Sequence, residues 1–132
     1  MRRRVLDTQV LIQFWLDCLA AARRDPTDSD VSEWADDLIA LYSTDVIVTP
    51  VYIEMVAGAQ SKRELNLKRS YLARFRILDR GKILDRDWVE ARRLAERVPR
   101  DGKRRQLGDC LIKAIANRFG YDVFSHDQGF PS

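Results

Sequence analysis

Apolar and polar positions along this chain follow two rhythms, one short and β-branched, the other helical. Arg3-Arg4-Val5-Leu6-Asp7 reads as a short strand that ends at an acid. Val10 to Ala22 is apolar on nearly every side, as expected of a buried helix. Asp25-Pro26-Thr27-Asp28-Ser29 is a loop by its turn residues. Val31, Trp34, Ala35, Leu38, Leu41 and Tyr42 then recur at helical spacing, with Asp30 and Glu33 spaced as a capping box at the start. Val46-Ile47-Val48 predicts a second strand. Thr49-Pro50 predicts a helix start, with Thr as cap and Pro at the first helical position, and Gly58 near the end.

Ser61-Lys62-Arg63-Glu64 matches a capping box in full and opens a helix to about Arg74. Phe75 to Asp79 predicts a strand, and Asp87 to Val98 a helix with Trp88, Ala91, Leu94, Ala95 and Val98 on one side. Pro99 to Lys103 breaks the chain. Gln106 to Phe119 is helical again and ends at Gly120, and Tyr121 to Ser125 predicts the last strand. Strands that alternate with one or two helices predict an α/β fold, a parallel sheet covered by helices on both faces. In such sheets ligands bind beyond the carboxyl ends of the strands.

At 132 residues the chain suits one domain spanning 1–132, and 45% hydrophobic content can fill a core. No apolar run approaches the roughly 20 residues of a membrane helix. Met1-Arg2-Arg3-Arg4 has the basic head of a signal peptide, but Asp7, Gln9, Gln13 and Asp17 interrupt the apolar stretch behind it. A cytoplasmic protein with no membrane partner is therefore expected. Cys18 and Cys110 are too far apart for a C-x-x-C pair and read as small buried hydrophobes. His126 is the sole histidine, which excludes a zinc site built on histidines and any Ser-His-Asp triad that does not use it. Net charge is +3 but unevenly spread, with 16 Lys/Arg against 7 Asp/Glu between Ser61 and Arg105. A basic face for a polyanion is one reading of that asymmetry, and two ordinary solvated surfaces are the other.

Four acids stand where acids are costly. Asp7 sits between Val5-Leu6 and Val10-Leu11-Ile12, and burying it unpartnered costs several kcal/mol, roughly. Its ordinary role would be to cap the next helix. Glu54 has three apolar residues on each side, so no helix face offers it easy access to water; a helix-edge Glu or a buried pair with Arg is the alternative. Asp109 falls in the first turn of another apolar helix, where capping or pairing with Lys113 would also account for it. Asp127 follows the last strand and would do for a surface turn. Together, two lie just after strands and two in the first turns of helices, ends that share one edge of a parallel sheet. Four converging carboxylates repel one another, and a hard divalent cation resolves the conflict. Mg2+ prefers oxygen ligands and Mn2+ suits the same cage.

These residues resemble the PIN-domain ribonucleases of the VapC toxin type. Val5-Leu6-Asp7-Thr8 with Val10-Leu11-Ile12 is similar to the family's opening, usually Asp-Thr-Asn. Val51 to Gly58 around Glu54, Gly108 to Ala114 around Asp109, and Ser125-His126-Asp127-Gln128-Gly129-Phe130 are similar to the segments carrying its other acids. Gln9 stands where Asn is usual, and Gly129 where the closing segment has a second acid, so Asp127 alone carries the fourth position. The resemblance implies a three-layer α/β/α fold with a central parallel sheet of four to five strands. It implies a magnesium-dependent endoribonuclease for single-stranded or loop RNA, a homodimer, held inactive by a VapB-type antitoxin. Asp7, Glu54, Asp109 and Asp127 would then be the catalytic, metal-holding acids, with Thr8 and Ser125 as supports. Lys62, Arg63, Lys68, Arg69, Lys103, Arg104 and Arg105 are candidates to draw in the RNA backbone.

Two other classes compete. A phosphate-accepting receiver domain would use Asp79 after its strand, but it needs paired acids after the first strand, where Asp7 stands alone. A non-catalytic PIN-like module binding RNA or protein would fit Gln9 and Gly129, and the retained acids oppose it.

Overall fold

The structure, a computed structural model, describes residues 3–97, 106–126 and 131. In chain order its elements are β1 (Arg4–Leu6), α1 (Thr8–Ala21), α2 (Asp28–Tyr42), β2 (Val46–Ile47), α3 (Thr49–Ala57), α4 (Lys62–Leu72), β3 (Arg76–Ile77), α5 (Asp85–Ala95), α6 (Leu107–Phe119) and β4 (Asp122–Phe124). Each sequence-predicted strand and helix has a counterpart, and the α/β class holds. No described helix is long and apolar enough to cross a membrane.

The sheet differs from expectation. Among the described residues the strands form two parallel pairs, β1 with β4 and β2 with β3, and not a single sheet of four to five strands. β1 and β4 pair Arg4 with Asp122, Val5 with Val123 and Leu6 with Phe124; β2 and β3 pair Val46 with Arg76 and Ile47 with Ile77. β1 and β2 are neighbours, but side chains tie them together. Thr44 Oγ1 donates to the Arg4 carbonyl at 2.8 Å, and Arg4 Nη2 donates to the Tyr42 carbonyl at 2.6 Å. α3 begins at Thr49, so β2 is limited to Val46–Ile47 and pairs with β3.

The core follows the apolar pattern. Val5, Leu6, Val10 and Leu11 pack with Val46 to Val48, Val51, Met55, Ile112 and Ile115. Trp15 meets Trp34 and Tyr71 edge-on, with centroids 5.5 and 5.1 Å apart. The buried Tyr71 hydroxyl donates to the Leu11 carbonyl at 3.1 Å, and burial pushes its pKa well above the ordinary phenol value.

Helix ends show where tertiary contacts replaced local signals. α2 starts at Asp28, so Thr27 and Asp30 form its capping box, one turn ahead of the Asp30–Glu33 pair read from spacing. Thr27 is the better cap because its β-branched hydroxyl side chain stands on extended backbone (φ −102°, ψ 170°) and accepts from Asp30 N. Ser61 caps α4 as expected, but Glu64 reaches the Gln60 amide. Thr49 is the first residue of α3 and not its cap. Its amide donates to Asp79 Oδ1 at 2.8 Å, so the buried Asp79 caps a helix thirty residues away in sequence. That accounts for Asp79 and removes the basis of the receiver reading. Gly120 ends α6 at φ 75°, a left-handed conformation that suits glycine.

The start of α5 is tied to the end of α6 by Asp87. With 1% of its surface exposed, Asp87 accepts from Leu84 N at 2.9 Å and from Arg118 Nε and Nη2 at 2.8 and 2.9 Å. Removing one partner of such a pair leaves a buried charge without its counter-ion. Arg118→Met is expected to lower stability by about 3 kcal/mol, as breaking buried pairs does, read from the urea midpoint at unchanged slope.

Candidate active site

The β1–β4 register places the residues after each strand side by side. Leu6 faces Phe124, so Asp7 and Ser125 are the next pair, and Ser125 Oγ donates to Asp7 Oδ2 at 2.7 Å. Asp7 holds the N-cap position of α1 on extended backbone, yet its side chain makes no capping hydrogen bond. Capping therefore does not explain this acid. It is 1% exposed and lies beneath the surface, with the buried Thr8 beside it.

Thr8 carries the connection outward. Its hydroxyl donates to Glu54 Oε1 at 2.6 Å, tying the first turn of α1 to α3. Glu54 is exposed, contrary to the expectation that no face of its helix would reach water. α3 spans only Thr49–Ala57 and buries Pro50, Val51 and Met55, so Ile53 and Glu54 project from the opposite side. Glu54 is also the sixth residue of α3, beyond the first turn where a helix's positive end acts strongly. Its carboxylate lies instead against the first turn of α6. A Cβ built on Gly108 would stand 2.7 Å from Glu54 Oε2 and 3.1 Å from Cδ. Glycine there lets the carboxylate approach the α6 backbone. Asp109, the next residue, is half-buried in that same first turn.

Glu54, Gly108 and Asp109 line one cleft with Gln9, Gln13, Gln106, Leu107 and His126, about 770 Å³ in volume. Asp7 does not line it but adjoins Thr8, which holds Glu54. Asp127 lies outside the described residues, as do Lys103, Arg104 and Arg105. Lys62 and Arg63 line a different cleft with Pro26, Thr27, Asp28, Asn66 and Leu67. Lys68 is buried, its ammonium 3.2 Å from Glu64 Oε1, which leaves it little surface for a phosphate. Arg69 is exposed on α4. Among the described residues no Lys or Arg lines the cleft that holds Glu54 and Asp109.

The donors suit a hard divalent cation by their chemistry, being carboxylate oxygens with hydroxyls from Thr8 and Ser125 bracing two of them. Among the described residues no three His, Cys, Asp or Glu side chains stand close enough to form a ready-made metal site. Mg2+ commonly takes one or two carboxylates with waters and substrate phosphate, so the donors fit that mode better than a closed protein cage. Gln13, Gln106 and His126 were not read as cleft residues. Glutamines on a helix and at its start carry no signal in sequence, and His126 is placed by the β4 register together with its contacts to Tyr42 and Phe124.

A family model described as "PIN domain" matches residues 4–132. Members of that family are typically metal-dependent nucleases. With a match over nearly its whole length, and with Asp7, Glu54 and Asp109 set around the ends of β1 and α6, this chain belongs to the PIN domain family.

Proposed function

We propose that this PIN-domain chain is a magnesium-dependent endoribonuclease, a hydrolase that cuts phosphodiester bonds in single-stranded or loop RNA. The observation that carries the reading is the pairing of Glu54 and Asp109 at one cleft, with Glu54 held by Thr8 and set against Gly108, and with the buried Asp7 next to Thr8 behind them. Asp7, Glu54, Asp109 and Asp127 would hold Mg2+, or Mn2+ in its place. When bound, the cation supplies a more acidic water and balances charge on the phosphodiester. Ser125 fixes the Asp7 carboxylate and Thr8 fixes that of Glu54. Glu54 is exposed at the cleft, which suits it to orient a water and take its proton.

The same reading makes the chain the VapC-type toxin of a toxin–antitoxin pair, cytoplasmic, homodimeric and restrained by a VapB-type antitoxin. Support here is the sequence resemblance over the opening, middle and closing motifs. Its test is growth arrest on induced expression, relieved by the product of a short adjoining reading frame; growth unaffected at full expression of active enzyme overturns the toxin role.

Asp7→Asn, Glu54→Gln and Asp109→Asn keep shape and remove charge. Each is expected to lower magnesium-dependent RNA cleavage by about a hundredfold or more, the rate equivalent of several kcal/mol of metal-assisted stabilisation. Wild-type cleavage by all three folded variants would sink the assignment. Gly108→Ala probes the close approach separately. The new methyl group displaces the Glu54 carboxylate from Thr8, and activity is expected to fall roughly tenfold or more, as when a supporting contact is lost. Thermal unfolding of Gly108→Ala stays near wild type, because alanine is the better helix former.

A further inference from the structure

We propose that the cleft carries a nucleobase-reading subsite, formed by the amides of Gln9, Gln13 and Gln106 and the ring of His126, for an unpaired base next to the phosphodiester that is cut. This rests on the ribonuclease reading above. A groove that grips RNA by its backbone is lined with cations. Here the polar residues that share the cleft with Glu54 and Asp109 are three glutamines and a histidine, and none of the described lining residues is Lys or Arg. An amide offers donors and an acceptor together, the combination that matches base edges and that a phosphate, which only accepts, does not need.

Along the chain the amides lie near Asp7 and Asp109. Gln9 lies two residues past Asp7, and Gln13 is one turn further on the same face of α1. Gln106 is the N-cap residue of α6, three residues before Asp109. Gln13 Nε2 donates to Asp17 Oδ1 at 2.9 Å, which orients that amide. The Gln9 and Gln106 side chains hold no hydrogen bond to other described residues. His126 is exposed but braced. Its ring meets Phe124 edge-on at 5.5 Å and Tyr42 at 6.1 Å, with Nε2 3.4 Å from the Tyr42 hydroxyl. Phe124 is in turn packed on Tyr42 at 4.8 Å and covered by the Arg4 guanidinium at 4.9 Å. A ring whose orientation is set before binding loses little freedom when a base stacks on it. The volume, about 770 Å³, falls within the usual range of small-molecule sites.

The test is binding of a short single-stranded oligoribonucleotide, and of the same oligomer with abasic positions, in the presence of a chelator. NMR side-chain resonances of Gln9, Gln13, Gln106 and His126 are followed in wild type, Gln9→Ala, Gln106→Ala and His126→Ala. The base-bearing oligomer is expected to bind wild type about tenfold more tightly than the abasic one, the scale of one stacked base, and to shift those resonances. Each substitution brings its affinity toward the abasic level. Equal binding of the two oligomers, binding of neither, or variants that keep the full base dependence overturns the subsite. Binding here needs neither metal nor turnover. Wild type that passes this test but cleaves no RNA defeats the nuclease reading alone; wild type that cleaves RNA but fails it defeats the subsite alone.

Discussion

Asp7 is a carboxylate with almost none of its surface in water, and a fold that keeps it must offer groups that favour its charge. The nearest source, the amides at the start of its own helix, is not used by its side chain. One donor comes from Ser125, 118 residues away, and a parallel β1–β4 pairing in the observed register brings it there. A slip of one residue would exchange the faces that Val5 and Leu6 present to their packing partners and part Ser125 from Asp7. Packing of the strand and provision for the acid are thus one requirement, met by one register.

The buried acids sort by what holds them. Asp87 is ion-paired to Arg118 and accepts from a backbone amide, so both of its oxygens have structural partners; Asp79 caps α3 through Oδ1, while its Oδ2 is buried with no hydrogen-bond partner among the described residues. Asp7 differs, because a hydroxyl that donates to it belongs to Ser125, the residue next to the cleft residue His126. Glu54 differs in the other direction. It is exposed, held by Thr8 on one side and by the bare backbone of Gly108 on the other. Fixing the exposed carboxylate on two sides limits the freedom it would lose on engaging a ligand.

The distribution of charge bears on how RNA would be held. The basic middle of the chain is real in sequence, but its described members do not gather at the acids. Lys62 and Arg63 belong to another cleft, and Lys68 is taken up by Glu64. Amides and a braced histidine stand beside the carboxylates instead. Lysines and arginines elsewhere act over distances of about a Debye length, roughly 8–10 Å in physiological salt, whereas hydrogen bonds and ring contacts act only at the cleft.

The element order, the α/β class, most of the core and the local settings of Asp7 and Asp109 were legible in the sequence, because they depend on periodicity and near neighbours. Val5-Leu6, Val46 to Val48 and the helical stripes declare themselves by spacing, and the PIN-like motifs by their order. Exposure and partnership were not legible. Apolar neighbours on both sides of Glu54 suggested burial, but a nine-residue helix packed on one side leaves the other open. The capping of Thr49 by Asp79, the approach of Glu54 to Gly108, the split of the strands into two pairs and the glutamines of the cleft all join residues far apart in sequence. Sequence by itself determined which residues could form strands, helices and acid-bearing ends. Only the tertiary structure decided which of those ends meet, because hydrogen bonds and packing act over a few ångströms and the chain folds distant residues to that distance.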